Sequence, residues 1–132
     1  MKSIKYHVGA ILALASLGAT TAHALAPGDY DVNVVNVFYS GATATDNSLK
    51  NTFLLKSGGL CVAGSIGIYR LTGGLANQRV VFCNMNSTTV PGLSGVKKVA
   101  FHKESRGGSS NGVNPLIDQT TLAFYDMTKA GS

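Results

Sequence analysis

Residues 30–51 read YDVNVVNVFYSGATATDNSLKN, and the order of residue types in this stretch sets the fold class. Val32, Val34, Val35, Val37 and Phe38 form a β-branched, partly alternating run, which predicts a strand over 30–39. SGATAT (40–45) is small and turn-like. Thr45 or Asp46 then caps a helix over 46–56 (DNSLKNTFLLK), with Leu49, Phe53 and Leu54 on one face. Strand, small-residue turn and helix open an α/β unit.

Working outward, residues 57–59 (SGG) stop that helix. Residues 61–71 (CVAGSIGIYRL) are strand-like, with Ile66, Ile68 and Arg70 alternating against Gly67 and Tyr69. Residues 72–74 form a turn, and 78–85 (QRVVFCNM) are the next strand, so the two strands pair as a hairpin. A loop over 86–95 leads to a strand over 96–104 (VKKVAFHKE). In it Val99 and Phe101 face one way, and Lys98, Ala100 and His102 the other. Residues 105–112 (SRGGSSNG) are a second small-residue loop, and 113–117 open a short helix despite Pro115. Residues 120–127 (TTLAFYDM) fit either strand or helix.

The first residues have another purpose. Lys2 and Lys5 precede an apolar stretch over 8–18 (VGAILALASLG), and Ala22-His23-Ala24 follows. This is the order of a bacterial secretory signal peptide, and it predicts a periplasmic or secreted protein. Cleavage after Ala24 divides the chain into a signal peptide, 1–24, and a domain, 25–132. Cleavage after Ala26 also fits but leaves Pro27 at the new terminus.

The domain keeps nine Lys and Arg against six acids, and its only basic pair, Lys97-Lys98, has no interleaved aromatics. That pattern gives no support to nucleic-acid binding. No apolar run reaches the ~18–20 residues of a membrane span, so no stable span is expected after cleavage. With 45% hydrophobic and 13% charged residues, the chain is not a disordered tail. In an oxidising compartment Cys61 and Cys83 read as a disulfide near the open end of the hairpin. Neither belongs to a C-x-x-C pair, and His102 is the domain's one histidine, so no metal or other cofactor is expected.

Two strand ends are each followed by a small polar loop and a helix start, SGATATD (40–46) and SRGGSSNG (105–112). Helix N-termini carry unpaired N–H groups that bind anions, and Ser and Thr hydroxyls add donors. On one sheet edge the two loops would clamp an oxyanion or small polar ligand. Taken singly, each is an ordinary N-cap. His102 and Glu104 fall on the same side of their strand with Ser105 nearby, but neighbours on one strand rarely make a triad. They read as a solvated His–Glu pair, and no catalytic residue is assigned.

SGATATDNSLKN (40–51) resembles the opening of the phosphate-binding proteins of bacterial phosphate ABC transporters, a strand followed by a Gly-Ala-x-x-Thr-like turn. GGSSNGVNPLI (107–117) resembles that family's second loop, a Gly-Ser-Ser-Gly-Gly-Val-type turn, departing at Asn111. The same segment also resembles a turn of the family's second domain, but the first alignment keeps chain order. The resemblance implies a periplasmic-binding-protein-like three-layer α/β sandwich with an inserted disulfide-bearing β-hairpin.

It further implies an oxyanion site with Thr43 and Thr45 from the first loop, Ser109 as a hydroxyl donor, and Gly108 and Ser110 lending backbone. Asp126 is only a faint echo of a third family contact. Capture of phosphate or a similar small polar ligand, for delivery to an ABC transporter permease, follows as the expected function. Because that family is more than twice as long, this chain is expected to be the N-terminal part of a larger binding protein. The alternative is a secreted structural or adhesive domain without a small-molecule ligand.

Overall fold

The computed structural model describes residues 23–54, 59–71, 77–105 and 107–129. Residues 1–22 of the expected signal peptide lie outside these, as do most of the helix stop at 57–59, the turn at 72–74 and the side chain of Leu54.

A four-stranded mixed sheet carries two helices, in the chain order β1 (Val35–Gly41), α1 (Asp46–Leu54), β2 (Gly67–Arg70), β3 (Gln78–Met85), β4 (Lys97–Ser105) and α2 (Ser110–Ile117). The spatial order is β1-β4-β3-β2. β2, β3 and β4 form an antiparallel meander, and β1 adds to the outer edge of β4 in parallel. The chain is therefore mixed α/β.

The first strand begins five residues later than its valines suggest. Asp31 is the reason: its carboxylate accepts the Asn33 N–H at 2.7 Å and its carbonyl accepts the Val34 N–H at 3.1 Å. This Asx-type turn consumes the residues before Val35, leaving Val32 99% exposed while Val34 is buried. β2 is likewise shorter than 61–71. Ser65 N–H and Oγ both donate to Val62 O, so 62–65 is a turn, and Ser65 Oγ accepts the Asn84 N–H. Residues 120–126 are neither strand nor helix, and Met127–Lys129 form a single 3-10 turn.

Strand alternation divides the core in two. On one face Val80, Phe82 and Ala100 pack with Leu25, Val34 and Met127, supported by Tyr30, Tyr69 and Tyr125. On the other, Cys83, Met85 and Val99 pack with Phe53 and Cys61, flanked by Leu49, Leu60, Ile66 and Phe101. The second face is thus roofed by α1 and the segment before β2. The first is covered by irregular chain from both ends of the domain.

Cys61 and Cys83 form the disulfide, with Cα atoms 5.7 Å apart. The Gly67↔Phe82 pair is the last of the β2–β3 ladder, and Cys83 follows it, which places the cystine at the hairpin's open end. It ties the α1 roof segment to the sheet across a separation of 22 residues. In the chain-entropy model a loop of that size stabilises the fold by about 3 kcal/mol. Replacing both cysteines by Ala is expected to lower the unfolding free energy in urea by about that amount. An unchanged urea midpoint would show that the cystine does not constrain the unfolded chain.

Candidate functional site

Parallel pairing of β1 with β4 runs from Val35↔Val99 to Gly41↔Ser105, so both strands end together. The two small-residue loops therefore leave the same edge of the sheet. They are joined directly: Thr43 N–H donates to Gly107 O at 3.2 Å. Gly107 has φ +77°, a conformation that favours glycine. α2 then lies against the end of β1 at Gly112. A Cβ there would sit 2.6 Å from Ser40 O and 3.1 Å from Gly41 Cα, so only glycine allows this approach.

Of the residues assigned from sequence, Thr43, Gly108, Ser109 and Ser110 are exposed around this junction. Ser109 has helical backbone angles and makes no side-chain cap bond. Thr45 is turned inward: its Oγ1 donates to Ala42 O at 2.8 Å and accepts from Tyr39 OH at 3.4 Å. Its proton is committed to its own turn, while its oxygen is shared with Tyr39. Asp126 lies apart, accepting the Thr128 N–H and hydroxyl and pairing with Lys129 at 3.2 Å.

Beneath the first loop the structure holds a charged cluster that the sequence reading missed. Asp46, in the first turn of α1, faces Arg79 at 3.1 Å and Lys103 at 3.4 Å, and accepts the Ser105 hydroxyl at 2.8 Å. Lys103 is 3% exposed and also donates to Ser105 Oγ at 2.8 Å and to Glu104 O at 3.1 Å. Its Nζ lies 4.9 Å from the centre of the Tyr39 ring. A buried ammonium is tolerated only with such partners. The positive end of the α1 dipole, where an external anion could have sat, is met by the carboxylate of Asp46.

His102 and Glu104 are buried, 3% and 1% exposed, which corrects the expectation of a solvated pair. The cause is the irregular segment that crosses their face: Gln78, paired in register with Glu104, donates from Nε2 to Ala123 O at 2.6 Å. Ser105 points to the opposite face with Lys103, so the structure does not bring Ser105 and His102 together. Lys98 of the basic pair is occupied by Asp29 O and Asp31.

No protein-family model, curated protein or solved structure matches the chain. The chemistry of the site is therefore read from its own residues. Among the described residues no group of three or more His, Cys, Asp and Glu is placed to hold a metal ion. Among them, too, no helix is long and apolar enough to cross a membrane.

His102 stacks on Phe38 with ring centroids 4.6 Å apart. Asn36 donates through Nδ2 to Val34 O, which leaves Oδ1 to accept from Tyr30 OH and from His102 Nε2, both at 2.8 Å. The imidazole in this arrangement carries its proton on Nε2. Burial pushes its pKa below the ordinary value. The folded chain therefore resists a second proton that the unfolded chain accepts below about pH 6.5. Stability is expected to fall as pH drops from about 7.5 to 5.5, and His102→Gln is expected to flatten that slope. Equal slopes for both proteins in urea denaturation would contradict the assignment.

Proposed function

We propose that this chain is an exported binding module that receives a small oxyanion or similar polar ligand where the loops after β1 and β4 meet. The observation that carries this reading is the Thr43 N–H to Gly107 O bond at the shared end of two parallel strands. Ligands of open α/β sheets bind outside the carboxyl ends of such strands. The exposed hydroxyl of Ser109 and the backbone around Gly108 and Ser110 are the donors, with Thr43 opposite. The resemblance of 40–51 and 107–117 to phosphate-binding proteins of ABC transporters supports a periplasmic-binding-protein-like fold and delivery to a membrane permease. The β2–β3 hairpin with its cystine is the inserted element in that reading. Binding without catalysis is proposed, because among the described residues no imidazole is placed beside the hydroxyls at the junction.

Export is supported by the disulfide and the signal-like N-terminus. Cleavage after Ala24 suits the packing better than cleavage after Ala26. Leu25 is 5% exposed in the core, donates its N–H to Ser65 O and accepts from Tyr69 OH.

A second reading, a secreted interaction domain, is favoured by exposed apolar side chains. Val35, Val37 and Phe38 lie on the edge strand, and Val113, Leu116 and Ile117 on α2.

Thermal unfolding with phosphate, sulfate, molybdate and small organic anions separates the two readings. The binding reading expects one anion class to raise the melting temperature. Ser109→Ala is expected to weaken that anion by about 1.5–3 kcal/mol, the worth of a charge-assisted donor. Thr45→Ala is expected to cost less, because its proton already serves Ala42. A flat panel, or unchanged affinity in both variants, would leave the interaction-domain reading.

A further inference from the structure

One rung of the sheet carries cations across three strands. Arg70 of β2 pairs in register with Arg79 of β3, and Arg79 with Lys103 of β4, which in turn pairs with Tyr39 of β1. All four side chains fall on the face roofed by α1, because Arg70, Arg79 and Lys103 each lie two residues along their strand from Ile68, Val81 and Phe101 of that face. Directly opposed side chains have Cβ atoms about 4.5–5.5 Å apart, and like charges at that spacing repel. Asp46 is the only carboxylate among the described residues that pairs with this rung. It holds Lys103 and one nitrogen of Arg79. Arg70 is exposed and has no ion-pair partner among the described residues, and the Arg79 side chain is 38% exposed.

Among the described residues, a row of three cations faces one carboxylate, an excess of two positive charges. Guanidinium groups present planar forks that suit tetrahedral oxyanions. We propose that the Arg70–Arg79 pair is a binding subsite for a dianionic oxyanion group of the phosphoryl or sulfate type. The subsite lies one alternation from Ser105, whose register partner Gly41 begins the first loop. It deepens the oxyanion reading given above and rests on it for the class of ligand, but its residues are separate from the loop hydroxyls.

The test is calorimetric titration of the full chain with inorganic pyrophosphate, and separately with inorganic sulfate, at constant ionic strength. Arg70→Gln, Arg79→Gln, Ser109→Ala and Lys97→Gln are compared with the parent. Lys97 is exposed at the far end of β4, so its variant removes the same charge away from the rung. Loss of a charge-assisted contact at Arg70 is expected to weaken pyrophosphate about 10-fold or more, with Lys97→Gln close to the parent. Without anion, Arg70→Gln is expected to melt higher than the parent, because a repulsion has been removed. A further titration with inorganic phosphate, at a pH above its second pKa so that its charge equals that of sulfate, identifies the source: tighter phosphate binding identifies phosphoryl groups, and tighter sulfate binding identifies sulfate.

The proposal is overturned if the parent binds neither probe, if Arg70→Gln binds as the parent does, or if Lys97→Gln loses as much as Arg70→Gln. Loss only in Ser109→Ala overturns the rung and leaves the loop site standing. Loss only in the arginine variants keeps the rung and removes the loop hydroxyls from the ligand.

Discussion

The parallel pairing of β1 with β4 is the constraint from which the rest of the architecture follows. Without it the chain is an antiparallel meander with two helices attached. With it, Gly41 and Ser105 end side by side, and the loops at 42–46 and 107–110 share one edge. The pairing joins segments about 60 residues apart in sequence, so it closes a long loop and is costly in chain entropy. Hydrophobic burial on both faces of β4 offsets that cost. Val99 enters one core and Ala100 the other.

The second organising feature is the polar end of β4. His102, Lys103, Glu104 and Ser105 are consecutive and buried, an arrangement that a strand tolerates only when each group is answered. Alternation splits the demand between the two faces. Lys103 and Ser105 are met by Asp46 of α1, and His102 by Asn36 of β1. The same contacts orient the start of α1 under the first loop. The contacts that answer Lys103 and Ser105 therefore also place the candidate site.

Much of this was legible in the residues. QRVVFCNM fits its strand end to end because its apolar positions serve both cores. The disulfide was expected from two cysteines behind a signal-like N-terminus, and the structure forms it. Two features were hidden for different reasons. Asp31 stops the first strand from starting at Tyr30, a local side-chain bond that competes with the ladder and leaves no trace in hydrophobic periodicity. The burial of His102 and Glu104 depends on a covering segment, residues 123–126, that has no regular structure and so no periodic signal. Lys103 could have been noticed, since alternation puts it beside Val99 and Phe101. Its partner, Asp46, lies 57 positions away, and only the fold joins them.

The central claim is the proposal that the end of the sheet where the two loops meet and the cation rung lies binds anions. Amide and arginine side-chain NMR spectra recorded during titration with inorganic phosphate test it most directly. The account predicts that the amides of Thr43, Gly108, Ser109 and Ser110 and the Nε signals of Arg70 and Arg79 move as phosphate is added. Spectra in which these signals stay fixed, or in which the only movements map to the opposite face around Tyr125 and Asp126, would contradict it.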